Sequence, residues 1–171
     1  MNVIPVGVMT ALLLMNYPTS DPSWLKPPAR VTLAVSAVPS ATPARSWTVR
    51  VDVTPAAGIH VYAPGNDNYI AVALSLNLPE AVRSTTAVYP PGEPYVFGET
   101  KEVVRVYQRP FRITQSISLQ GAGAKPPATL SGALRYQACT DKVCFPPQTE
   151  PFTVALPASQ PAGGKRTNST S

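Results

Sequence analysis

The sequence predicts an all-β protein, a two-sheet antiparallel β-sandwich of about eight strands, and three observations predict it. Proline and glycine are abundant, at 21 and 10 of 171 residues, with Val, Thr, Ser and Tyr filling the stretches between them. Such a composition favours many short strands divided by turns. Apolar and polar residues alternate over one short segment after another, which is the period of a strand with one buried face. No segment carries the repeat of a long amphipathic helix, so a fold that alternates helices with strands does not fit.

From the start of the chain, Val3 to Met15 is a mostly apolar run, and the first charge is Asp21. The run is shorter than the roughly 20 residues that span a bilayer, so residues 1–20 read as a signal-peptide or hydrophobic leader and export is expected. Residues 21–30 hold Pro22, Pro27 and Pro28 and form an extended lead-in that cannot be helical. The domain proper is expected over 31–157. Its alternating segments are Val31-Leu33-Val35, Trp47-Val49-Val51-Val53, Val72-Leu74-Leu76-Leu78, Phe111-Ile113 with Ile117-Leu119, and Leu130 to Tyr136. Shorter candidates are Ile59 to Ala63, Val103 to Tyr107 and Phe152 to Leu156. Turns fall at Pro64-Gly65-Asn66-Asp67, Pro90-Pro91-Gly92 and Gly121-Ala122-Gly123. The Gly-, Ser- and Thr-rich tail, 158–171, has almost nothing to bury and is expected to be disordered.

Composition also excludes several functions. Lys and Arg exceed Asp and Glu by 14 to 9, but the basic residues are scattered from Lys26 to Arg166, unlike the clustered footprint of a nucleic-acid domain. Two cysteines and one histidine cannot fill a four-ligand zinc site, and all three methionines lie in the leader, leaving no thioether cluster for copper. No Ser/His/Asp arrangement can be assembled around His60. No cofactor is expected.

The informative stretch is Tyr136-Gln137-Ala138-Cys139-Thr140-Asp141-Lys142-Val143-Cys144-Phe145-Pro146-Pro147. If Thr140 to Val143 form a short loop, Cys139 and Cys144 become cross-strand neighbours with Cα atoms about 4.5–5.5 Å apart, a separation that a disulfide tolerates. The bond would close only six residues, so the chain-entropy model gives roughly 2 kcal/mol, which makes it an inefficient staple. A bond at a hairpin tip is instead reachable by an attacking thiolate. Lys142 would lower a neighbouring thiol pKa and Asp141 would raise it; Cys144 is read as the partner-facing sulfur. The residues alone leave two readings open, an inert hairpin disulfide and a redox-active pair.

Residues Tyr136 to Thr149 resemble the redox hairpin of the periplasmic N-terminal domain of the thiol:disulfide interchange protein DsbD, in which a Tyr-Gln-x-Cys strand leads to a second Cys and Pro-Pro. Gly58-Ile59-His60-Val61-Tyr62 is similar to that family's Gly- and aromatic-rich strand, and Tyr95-Val96-Phe97-Gly98-Glu99 to its cap loop. The likeness covers about residues 30 to 157. It implies an immunoglobulin-like sandwich whose Cys139 and Cys144 are the redox pair. Tyr62 would lie beside the disulfide, as would His60 at the position of another tyrosine, while Phe97 or its neighbour Val96 would shield it until a partner displaces the loop. The implied work is to pass reducing equivalents to a periplasmic disulfide isomerase or a cytochrome c maturation thioredoxin. This chain departs from the pattern in a four-residue loop between the cysteines, one shorter than in the best-known members. Its cap lacks the acidic residues expected from the family pattern and carries Pro94 and Tyr95 there. Neither a membrane domain nor a thioredoxin domain is expected in this chain, so a membrane-embedded or thioredoxin-like donor would act in trans, on what is expected to be a monomer.

His60 by itself reads first as a half-buried structural side chain, and is kept only as a neighbour of the pair. The flanking Pro90, Pro91, Gly92, Pro94 and Gly98 place Phe97 in a loop rather than a strand. Tyr136 and Trp47 read as core aromatics. The expectation is therefore a periplasmic thiol–disulfide carrier. Its rival is an interaction module of the same fold in which the disulfide only stiffens a hairpin.

Overall fold

The computed structural model describes residues 29–158, apart from 42–44, 67 and 98–100 and the side chain of Phe97. The leader, most of the lead-in, nearly all of the tail, and Gly98 and Glu99 of the cap segment lie outside the described residues. Eleven strands run in chain order: β1 Val31–Ser40, β2 Ser46–Pro55, β3 His60–Tyr62, β4 Ala73–Asn77, β5 Val82–Ser84, β6 Glu93–Phe97, β7 Glu102–Tyr107, β8 Phe111–Leu119, β9 Thr129–Tyr136, β10 Ala138–Cys139 and β11 Gln148–Ala155. Eight coincide with the alternating segments. The three additional ones, β5, β6 and β10, are two to five residues long, too short to display a period, and are defined by the partner they pair with.

Pairing gives three hydrogen-bonded sheets among the described residues, ordered β1-β2-β8-β5, β11-β9-β4 and β10-β3-β7-β6. Every strand pair is antiparallel. The second and third sheets are continuous through the chain, because only Gln137 separates β9 from β10, and Val72 N–H donates to Tyr62 C=O at 2.9 Å. All three contribute to one core. Alternation along β2 turns Trp47, Val49, Val51 and Val53 inward, where they join Ile113 and Ile117 of β8 and Leu130, Leu134 and Tyr136 of β9. Full burial of such side chains contributes about 1.5–3 kcal/mol each. The polar ends of the two core aromatics are satisfied: Trp47 Nε1 donates to Pro157 C=O at 2.8 Å, and the Tyr136 hydroxyl donates to Gln148 Oε1 at 2.9 Å.

Between β2 and β3 the chain leaves the first sheet through a turn that needs Gly58 in the left-handed region at φ 72°. Ile59 N–H closes this turn on Ala56 C=O at 3.0 Å and delivers His60 to the start of β3. The sheet β10-β3-β7-β6 then presents two different faces. Val61, Tyr107 and Ala138 point into the main core, whereas Tyr62, Val104, Val106 and Cys139 form a second buried cluster on the opposite face.

Candidate functional site

That second cluster holds the cysteines. Cys139 ends β10 and pairs with Cys144 as an isolated antiparallel bridge; the disulfide between them has a Cα–Cα distance of 4.0 Å. The flanking bonds, Thr140 N–H to Val143 C=O at 2.8 Å and Phe145 N–H to Ala138 C=O at 2.9 Å, make it a non-hydrogen-bonded pair. This is the closer of the two antiparallel pair types, which accounts for a separation below the expected range. The loop is held by Thr140, whose hydroxyl accepts from Lys142 N–H at 3.2 Å and Val143 N–H at 3.1 Å. Outside it, Gln137 Nε2 donates to Phe145 C=O at 3.1 Å.

The two sulfurs have unequal surroundings. Cys139 is 0 % exposed, while Cys144 is only partly buried at the edge of the cluster. Tyr62, also fully buried, places its hydroxyl 3.6 Å from Cys144 Sγ, and because a disulfide sulfur has no hydrogen the hydroxyl is the donor. Burial pushes the Tyr62 pKa up to about 12, so the phenol keeps its proton at neutral pH. Tyr69 stacks on Tyr62 at a centroid distance of 4.3 Å and donates its own hydroxyl to Glu102 Oε2 at 2.7 Å.

His60 is only 3 % exposed, fully rather than half buried, and is the register partner of Cys139 across β3 and β10. Its ring lies 4.6 Å from that of Tyr95 and edge-on to Tyr62 at 5.8 Å. Burial holds its pKa below the usual 6.5, opposed by the negative charge of Asp141. A cleft of about 420 Å³ opens beside it, lined by Gly58, Ile59, His60, Tyr95, Gln108 and Asp141.

The cap segment is a strand rather than a loop. Glu93–Phe97 pairs along its length with β7, Tyr95 opposite Val104, Val96 opposite Val103 and Phe97 opposite Glu102. Proline does not prevent this, because β6 is the edge of its sheet and Pro94 needs no donor on its open side. Alternation then separates neighbours. Tyr95 packs on the cysteine cluster, whereas Val96 is 59 % exposed beside its partner Val103 at 65 %. Val96 therefore does not cover the disulfide, and Phe97 is the last residue of the strand. The structure brings together Cys139, Cys144, Tyr62, His60 and Tyr95. It adds Tyr69 and Glu102, which the sequence reading passed over: Tyr69 follows a turn-rich stretch read only as a connection, and Glu102 on β7 accepts the Tyr69 hydroxyl.

A β-sandwich of antiparallel strand pairs carrying a disulfide on a hairpin, between a partly buried cysteine and a fully buried one and beside aromatic side chains, defines the class: an all-β thiol–disulfide domain. The family model described as thiol:disulfide interchange protein DsbD, N-terminal, matches residues 29–156, and the chain belongs to that family. Two solved structures share its immunoglobulin-like fold. The N-terminal domain of DsbD from Neisseria meningitidis, in the reduced form, superposes with a TM-score of 0.51 at 18 % identity, covering 81 % of this chain and 96 % of that one. The N-terminal periplasmic domain of ScsB from Proteus mirabilis gives 0.55 at 16 % identity, covering 81 % of this chain and 52 % of that one. No curated protein matches the sequence. Membership in the family supports thiol–disulfide exchange as the general chemistry of the Cys139–Cys144 pair.

Proposed function

We propose that this protein is an extracytoplasmic carrier that receives two electrons from a membrane-embedded or thioredoxin-like donor and passes them to a thioredoxin-like acceptor. A periplasmic disulfide isomerase and a cytochrome c maturation thioredoxin are the acceptor classes proposed, and the carrier works as a monomer. The observation that carries the reading is the asymmetry of the pair, with Cys139 fully buried and Cys144 at the edge of its cluster. Exchange requires access to one sulfur only. In the donating direction the Cys144 thiolate attacks the acceptor's disulfide and forms a mixed disulfide, and one acceptor sulfur leaves. Cys139 then attacks Cys144, which restores the intramolecular bond and releases the acceptor as a dithiol. Tyr95 on the edge strand β6 acts as the movable cover, keeping small oxidants from the reduced pair until a partner displaces the β6–β7 hairpin. The apolar leader from Val3 to Met15 and the periplasmic setting of the ScsB domain support an extracytoplasmic location.

The test is the reduction potential of the pair, obtained by equilibrating the purified protein against glutathione and thioredoxin buffers and trapping free thiols. A value of about −270 to −120 mV is expected for a carrier, whereas one below about −300 mV would make the bond a structural staple and refute the reading. Partner reduction should also be lost in both Cys139→Ser and Cys144→Ser.

A further inference from the structure

Burial in apolar surroundings makes a thiol harder to ionise, and Cys139 is completely buried. Yet the resolving step requires it to attack as a thiolate. A base within the same cluster would remove that difficulty. His60 stands directly opposite Cys139 in the β3–β10 register. Side chains so paired project to the same face, with Cβ atoms about 4.5–5.5 Å apart. The Nε2 atom of His60 is buried and has no hydrogen-bond partner in this disulfide-bonded form. A buried polar atom without a partner is costly and calls for a reason, of which a redox or catalytic role is one. Here the reason is the redox state: a disulfide sulfur has no proton to offer, and a thiol does.

Resting on the exchange reading above, we propose that His60 is the proton acceptor for Cys139 in the resolving step. In the mixed disulfide between Cys144 and an acceptor cysteine, the Cys139 S–H proton passes to Nε2. The freed electron pair forms the Cys139–Cys144 bond. The acceptor sulfur leaves with the electrons of the broken bond and is protonated by the imidazolium or by water. The titratable neighbours of His60 are Tyr62 on its own strand, Tyr95 from β6, Asp141 from the hairpin loop and Cys139 from β10. Asp141 stabilises the imidazolium once it forms, and burial keeps the resting ring neutral and able to accept. The adjoining cleft lined by His60, Tyr95 and Asp141 gives the proton a way out to solvent.

The experiment uses the reduced full chain and 5,5′-dithiobis(2-nitrobenzoate) as a stand-in acceptor. Stopped-flow absorbance separates the first thionitrobenzoate released, by Cys144, from the second, released as Cys139 resolves. The wild-type second phase should lose rate through an ionisation below pH 6.5, where the single histidine of the chain becomes protonated. In His60→Phe, or His60→Gln if the first does not fold, the second phase should slow about 10²-fold at pH 7 relative to the first and rise tenfold per pH unit instead. A second phase identical in wild type and variant overturns the proposal. So does a wild-type rate that climbs tenfold per unit from pH 5 to 8 without inflection, a result that needs no variant. Because the reagent replaces any protein acceptor, these outcomes are independent of the exchange reading, whose own failure is the low reduction potential described above.

Discussion

Reduction of the disulfide should leave the fold standing. The bond joins residues five apart and so closes a loop of six counting both cysteines. The loop-entropy relation gives about 2 kcal/mol for that length. Neither sulfur belongs to the main core built from Trp47, Val49, Val51, Ile113, Leu134 and Tyr136, and the flanking hydrogen bonds of the hairpin do not depend on the bond. For a β-domain of this size, 2 kcal/mol corresponds to a drop of roughly 6–10 °C in melting temperature. The assay is thermal unfolding followed by circular dichroism with and without a phosphine reductant, together with near-ultraviolet spectra at 25 °C to report packing of the aromatic core. A fall of more than about 20 °C, or loss of the near-ultraviolet signal on reduction, would refute the reasoning, because the bond would then be holding the sandwich together and could not be cycled.

Four other substitutions separate the roles of individual residues. Tyr95→Ala should speed reduction of the disulfide by glutathione about tenfold by opening the path to Cys144, whereas Val96→Ser should leave it unchanged, since that side chain faces solvent; equal rates in the two variants would remove Tyr95 from the cover. Because burial lowers the His60 pKa, the unfolded chain takes up the proton first, so the oxidised protein should lose stability as pH falls below about 6.5 until the folded ring also protonates. Urea midpoints at pH 7.5 and pH 5 should diverge less in His60→Gln, and an unchanged difference would show that the ring is not penalised by burial. Gly132→Ala would place a Cβ 2.6 Å from both the Phe152 ring and the Ser75 carbonyl oxygen, in the middle of the sheet β11-β9-β4. A cost of about 1–3 kcal/mol is expected in urea unfolding with the reduction potential unaltered; a cost below about 0.5 kcal/mol would mean that the strands separate without strain.

The strands that form the main core were legible because they are long. β1, β2, β8 and β9 each run eight residues or more, enough turns of the two-residue period for Trp47, Val49, Val51 and Val53, or Leu130, Leu134 and Tyr136, to declare a buried face. β6 and β10 carry the site and were not legible as strands. β10 is two residues long, and β6 contains Pro94 and follows a Pro-Pro-Gly turn, so local signals point to a loop. What makes β6 a strand is its pairing with β7, a partner that propensity cannot see.

The same division holds for the site. The sequence alone determined that two cysteines five residues apart would meet across a hairpin, since chain connectivity leaves them little else to do and a short loop gives a disulfide its geometry. It also carried, in residues 136–149 and two aromatic segments, the likeness to the family to which the chain belongs. Tertiary structure decided how each sulfur is exposed, because burial depends on what packs over it from β3, β6 and β7. It decided that Tyr95 rather than Val96 packs on the cluster, since one step along a strand reverses the face. It also decided that His60 would be the register partner of Cys139, a juxtaposition between residues 79 apart in sequence that no local pattern encodes.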